Sequence, residues 1–154
     1  MPASLSFAQF QESLKRGAIA PAYLFEGAES HFHDEGIRLL EEAALPREAL
    51  SIDRESLRGS EASLAAVLDL ASTYPMGGGR RLVIVRQAGE VRCDSAEPLK
   101  AYLKAPNPKT CLVFSDPEFD RRRLLYRALA DLAVRVDCAP LDEARTAAWV
   151  RDRL

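Results

Sequence analysis

The chain has 154 residues, 47% of them hydrophobic and 29% charged, the proportions of one soluble globular domain with a sizeable core. A formal net charge of −2 excludes bulk electrostatic attraction to nucleic acid, so any DNA contact has to be local. No run approaches the roughly 20 apolar residues of a membrane span, and Met1 to Phe10 lacks the basic start and apolar run of a signal peptide. Cys93, Cys111 and Cys138 are odd in number and lack metal spacing. They read as reduced thiols of a cytoplasmic protein.

Ser6 can cap a short helix in which Phe7, Phe10 and Leu14 share a face, with Gly17 as its stop. Pro21 leads into a buried strand, Tyr23 to Phe25, followed by a turn at Gly27. A helix then carries Phe32, Ile37 and Leu40 on one face, with Ser30 able to cap it. Pro46 breaks that pattern, and Leu50 to Asp53 reads as a short strand. Ser60 and Glu61 open a second amphipathic helix through Leu64, Val67, Leu68 and Ala71, which runs out before Tyr74 to Gly79.

Leu82 to Val85 is continuous, β-branched and apolar, the pattern of a strand buried on both faces. Pro98, Leu99, Tyr102 and Leu103 mark another helix, closed by Pro106 and Pro108. Cys111 to Phe114 is a second fully buried strand. Asp120 can cap a helix bearing Leu124, Leu125, Ala128, Leu129 and Leu132, and Val134 to Asp137 is the last strand. Beyond Pro140, Asp142 to Leu154 has the pattern of one more amphipathic helix. Five alternations of strand and helix call for an α/β domain, a five-stranded parallel sheet covered on both faces.

Strand, glycine turn and helix start is where a P-loop ATPase cradles phosphate, because backbone N–H groups and the helix dipole converge there. Laying that motif on Gly27 puts Phe32 at the second glycine, His33 at the lysine and Asp34 at the hydroxyl. Phe32 blocks close backbone approach, His33 is mostly neutral at pH 7, and Asp34 repels a triphosphate. The geometry of a nucleotide site is kept and its chemistry lost. No Asp-Glu pair follows an apolar strand to hold Mg²⁺, and Asp116 beside Pro117 reads as a turn former. His31 and His33, two residues apart, point to different sides of a helix and read as solvated helix-start residues rather than metal ligands.

Arg121, Arg122 and Arg123 sit where a helix begins. They read either as a solvated basic turn or as contacts for DNA or an acidic partner. Arg80 and Arg81 carry the same two readings. Tyr74-Pro75-Met76-Gly77 brings two large apolar groups to the end of a helix, followed by more glycine. This segment is either a lid folded back on the domain or an exposed plug for a pocket on a partner.

Several segments in order resemble the delta subunit family of the bacterial DNA polymerase III clamp loader: Tyr23 to Phe32, Tyr74 to Val85, Thr110 to Phe114, Arg122 to Leu129, and Pro140 to Leu154. The resemblance implies an AAA+ module, three-layer α/β/α, with a degenerate nucleotide site at Gly27, Phe32, His33 and Asp34 that binds no nucleotide. It implies residues 1–140 as a clamp-binding domain I and 141–154 as the start of a lid, the rest of the lid and a C-terminal collar being absent. It also implies a non-catalytic subunit of a polymerase holoenzyme, without metal or cofactor. Such a subunit binds the ring-shaped sliding clamp and helps open it for loading onto primed DNA.

Carried onto this sequence, the clamp contact falls on Tyr74, Pro75, Met76 and Gly77, with Gly77 where the family has a large apolar residue. Other loader subunits would be met through absent regions, and primed DNA indirectly. The competing reading is a divergent P-loop ATPase using His33 and Asp116.

Overall fold

The computed structural model describes residues 4–77 and 79–138. Six parallel strands form its centre: β1 (Ser4–Ser6), β2 (Ala22–Glu26), β3 (Arg54–Arg58), β4 (Arg81–Arg86), β5 (Thr110–Asp116) and β6 (Val134–Asp137). They stand in the order β1-β6-β2-β5-β4-β3, every pairing parallel. The helices are α1 (Phe7–Lys15), α2 (Ser30–Ala44), α3 (Leu64–Ala71), α4 (Glu97–Lys104) and α5 (Leu124–Leu132).

The two faces of the sheet follow from the alternation of side chains along each strand. Tyr23, Phe25, Leu82, Ile84, Cys111, Val113 and Val136 face α1 and α2, whose Phe7, Phe10, Ile37 and Leu40 complete that layer. Ala22, Leu24, Val83, Val85, Leu112 and Phe114 face the other way, under Val67, Leu99, Leu125 and Leu129. Every residue of β5 is buried, as a central parallel strand requires. The three cysteines are free thiols, with Cys111 and Cys138 buried.

Five strands were expected and six are present. The sixth, β1, is three residues long and lies beside β6 at the sheet edge. Ser6 ends that strand and caps α1 in a reciprocal box. Its hydroxyl accepts from the Gln9 N–H at 3.1 Å, and the Gln9 side chain accepts from the Ser6 N–H at 2.9 Å.

Four local expectations shift by a few residues. The strand expected at Leu50 to Asp53 is instead β3 at Arg54–Arg58, and Leu50 to Asp53 forms the turn that feeds it. Helix α3 starts at Leu64 under a Ser63 cap, after a 3₁₀ turn at Gly59–Glu61. Ser30 is already helical, and Glu29 holds the cap position of α2 without a side-chain bond. Asp120 belongs to a turn, accepting the Arg122 N–H at 2.9 Å, so α5 begins later, with Arg123 at its cap. The expected boundary at 140/141 and the terminal helix lie outside the described residues.

Candidate functional site

In an open parallel sheet, ligands bind at the carboxyl ends of the strands, where backbone groups are left free. Here that position, between β2, β5 and β6, is filled by protein. His33 is 2% exposed, set on the buried stripe of α2 with Gly36, Ile37, Leu40 and Ala44. Its Nε2 lies 2.7 Å from the Gly27 carbonyl and its Nδ1 2.7 Å from Ser115 Oγ. Because a carbonyl only accepts, Nε2 carries the proton, and Nδ1 then accepts from the serine hydroxyl.

The turn itself is also committed. The Glu29 N–H donates to the Cys138 carbonyl at 2.9 Å, and the Cys138 N–H donates to the Glu26 carbonyl at 2.6 Å. Phe32 turns to Phe7, ring centroids 4.8 Å apart. Asp34 pairs with Arg86 at 2.7 Å on the surface. Asp116 caps two backbone turns, accepting from Gly89 N and Glu118 N at 2.9 Å each. The position laid on the P-loop lysine thus holds a buried imidazole with both nitrogens bonded, and Asp116, read from sequence as a turn former, spends its carboxylate on backbone N–H groups.

The reading of His31 and His33 as a solvated pair is therefore corrected for His33; His31 is exposed. The signal was available, since 33, 37, 40 and 44 recur at helical spacing. Burial holds His33 below its ordinary value near 6.5; the bond to Gly27 and the Asp116 and Asp34 charges oppose this, while Arg86 assists it. A depressed folded value means that the unfolded chain takes up the proton first as pH falls below about 6.5. The stability this neutral ring contributes is complete above that pH and is lost as pH falls through the folded value. The melting temperature should therefore decline more steeply between pH 7 and 5 for the native chain than for His33→Gln. Parallel curves would remove this account.

The basic turn lies close by. Arg121 Nη2 is 3.9 Å from Glu26 and its guanidinium stands 5.8 Å above the Tyr126 ring. Arg122 pairs with Asp120 at 3.1 Å, and Arg123 is exposed. Glu26, at the end of β2, accepts from Tyr126 Oη at 2.5 Å and Arg135 at 2.8 Å. Burial, then the bond to Glu26, pushes the Tyr126 phenol up, so it stays a donor. This cluster had no sequence signal, because its members lie 100 and 109 residues apart.

At the opposite end of the strands, the segment between α3 and β4 carries Tyr74, 65% exposed, and Met76, 84% exposed. Pro75 is half-buried and Gly77 exposed. The base of the segment is tied down. Arg81 is buried and its Nε donates to the Leu70 carbonyl at 3.0 Å, while Arg80 reaches the Pro108 carbonyl at 3.3 Å. The tip is held by Asp53, a residue the sequence did not single out. Its carboxylate accepts the Met76 N–H at 2.8 Å and the Gly77 N–H at 2.7 Å. A Cβ on Gly77 would stand 2.5 Å from Ala49 Cβ and 2.7 Å from Asp53 Oδ2, so a larger residue does not fit this arrangement.

Comparison with known proteins agrees with this fold. The chain is 28% identical over 145 residues to DNA polymerase III subunit delta of Bacillus subtilis (strain 168), covering 88% of this chain and 42% of that one. The structure of the Bacillus subtilis DNA clamp loader delta protein superposes with a TM-score of 0.78 at 24% identity, over 93% of this chain and 45% of the other. A DNA polymerase III gamma subunit-related protein from Thermotoga maritima superposes at 0.62 with 16% identity, over 91% of this chain and 48% of its own. These structural likenesses establish an AAA+-like, clamp-loader-like α/β fold, and the chain spans less than half the length of each relative. The sequence profile of DNA polymerase III, delta subunit, matches residues 23–139, most of the length of this chain, which therefore belongs to that family.

Proposed function

We propose that this chain is the clamp-engaging part of a clamp-loader delta subunit, and that Tyr74 and Met76 enter an apolar pocket on the sliding clamp. The observation that carries the reading is the tip itself: two large apolar side chains, 65% and 84% exposed, on a segment fastened at base and tip. Exposed methionine and tyrosine give an adaptable apolar contact with a polar handle. Binding that favours the opened ring shifts the clamp's equilibrium by the difference in affinity, so opening needs no hydrolysis by this subunit. A filled cradle, with His33 bonded on both nitrogens, supports a role without ATP turnover. Other loader subunits would then supply the nucleotide chemistry, and primed DNA would be met within the assembled complex. Arg123, exposed at the cap of α5 within the field of Asp120, is the most available of the three to a partner or a phosphate, since Arg121 and Arg122 form ion pairs with Glu26 and Asp120.

Calorimetric titration with the cognate sliding clamp tests the reading. The native chain should bind saturably, and the Tyr74→Ser, Met76→Ser double variant should bind roughly tenfold or more weakly, as expected for central apolar anchors. Undiminished binding by a folded double variant would move the contact off this tip. In the same series, ATP–Mg²⁺ should give no saturable heat; saturable nucleotide binding would favour the competing ATPase reading.

A further inference from the structure

Asp53 is fully buried, yet its carboxylate oxygens bond two peptide N–H groups that lie 23 and 24 residues away in the chain. The rest of the residue is equally committed. Its N–H donates to the Ala49 carbonyl at 2.8 Å, and its carbonyl accepts from the Leu82 N–H at 2.8 Å, where β4 begins. Asp53 thus joins the turn before β3, the start of β4 and the tip of the α3–β4 segment.

A carboxylate suits this place because it only accepts, and both groups facing it only donate. Bonds from N–H groups to an ionised acceptor are among the stronger hydrogen bonds of a protein. Gly77 completes the fit, since a Cβ there would occupy the space of Oδ2 and of Ala49. The side chains carried by the bonded segment, Met76 and Tyr74, are the two most exposed of the large apolar residues among those described.

We propose that Asp53 is a positioning residue for the apolar tip: its buried carboxylate, paired with the absence of a side chain at Gly77, fixes Met76 and Tyr74 in the outward presentation a partner meets. The proposal rests on the reading of this tip as the clamp contact. A tip ordered in advance binds more tightly because less conformational freedom is lost on association. Gly77, seated against Asp53 and Ala49, offers a partner no side chain of its own. The clamp contact therefore rests on Met76, on Tyr74 and on how rigidly they are held. Placing leucine at Gly77 would expel the carboxylate rather than add a contact.

Two measurements on the 154-residue chain test this, with Asp53→Asn and Gly77→Ala as independent variants. Asparagine keeps the shape of Asp53 but turns an NH₂ donor toward one of the two N–H groups. Alanine at Gly77 leaves Asp53 in the sequence and crowds its oxygen from the opposite side. Amide hydrogen exchange, read at Met76 and Gly77, should quicken by roughly tenfold or more in either variant, while exchange in the β5 core stays at the native rate.

Titration with the sliding clamp should weaken by a similar factor. Adding Asp53→Asn to the Tyr74→Ser, Met76→Ser variant should cost no further affinity, which a general loss of stability would not reproduce. Native-like exchange at both amides, or native affinity for the clamp in a folded variant, overturns the proposal. If Asp53→Asn does not fold, the Gly77→Ala results decide it. A native chain that fails to bind the clamp removes the reading of the tip as a clamp contact, while the exchange data still decide whether Asp53 holds it.

Discussion

Phe25→Ala should cost this domain about 3–5 kcal/mol, the range for deleting a fully buried ring. Phe25 is on β2, fully buried, and its ring is the wedge between the sheet and both helices of one face. It meets Phe10 of α1 edge-on at 5.4 Å and His33 of α2 edge-on at 6.4 Å. Helix α2 comes so close that a Cβ on Gly36 would stand 2.8 Å from the ring. Removing the ring loses its transfer energy and leaves a cavity that two helices and a sheet cannot jointly close. The melting temperature should fall by roughly 10 °C or more for a chain of this size.

Phe25→Leu, which keeps much of the volume, should cost about 1.5 kcal/mol or less, and it should make Gly36→Ala better tolerated than in the native background. Denaturant unfolding of the four variants measures both effects. A loss below about 1.5 kcal/mol for Phe25→Ala would mean that α2 settles onto the sheet without the ring. The same substitution should blunt the pH dependence assigned to His33, because the imidazole loses a wall of its apolar surroundings.

Parts of the molecule that bury continuous apolar strands were legible from sequence, and the reasons are local. Leu82 to Val85 and Cys111 to Phe114 declared themselves as two-sided buried strands because no polar residue interrupts them, and β6 was placed at its observed bounds. The edges were not legible. Ser4–Ser6 is too short and polar to show a pattern, and it adds to β6 through backbone bonds that any sequence can make. Arg54–Arg58 exposes alternate residues on the other edge, so the apolar Leu50 and Ile52 just before it gave the stronger, misplaced signal.

The site follows the same division. That Phe32, His33 and Asp34 depart from the residue types of a phosphate-binding turn was visible in the sequence, but the partners these side chains take were not. The partners of His33 are a carbonyl six residues back and a hydroxyl 82 residues on. The exposed tip at Tyr74 and Met76 was visible as apolar residues beside glycines. Asp53 was not, because its partners are peptide N–H groups, which carry no sequence signal. In this chain, packing wrote itself into side-chain patterns, whereas the polar groups that hold the turns in place bond mainly to backbone.

Gly59→Ala is expected to destabilise the domain by about 2–3 kcal/mol, although alanine at a compatible site usually stabilises by about 0.4–1 kcal/mol. Gly59 follows β3 and is buried where two turns cross at the carboxyl ends of β3 and β4. A Cβ there would stand 2.1 Å from the Gln87 carbonyl oxygen, 2.9 Å from its carbon and 3.2 Å from Val91 N. The obstacle is backbone, so no rotamer change relieves it. Nor can the opposing turn retreat freely, because Gln87 is held in the left-handed region at φ 53° and its carbonyl accepts the Glu90 N–H at 3.0 Å.

Gly17→Ala makes the contrasting test. Gly17 has φ +77° and nothing within 4 Å of a Cβ, so its cost is backbone strain alone, about 1–2 kcal/mol. Equilibrium unfolding should rank the two variants in that order, and the crowded one should lose roughly 5–10 °C in melting temperature. A reversed order, with Gly59→Ala close to native, would mean that the two turns slide apart at little cost, and the crossing would then be a loose contact. The tip at Met76 lies at the opposite end of the strands, so a Gly59→Ala chain that remains folded should still bind the clamp as the native chain does. Loss of clamp binding in a folded Gly59→Ala chain would place part of the contact at this end of the sheet.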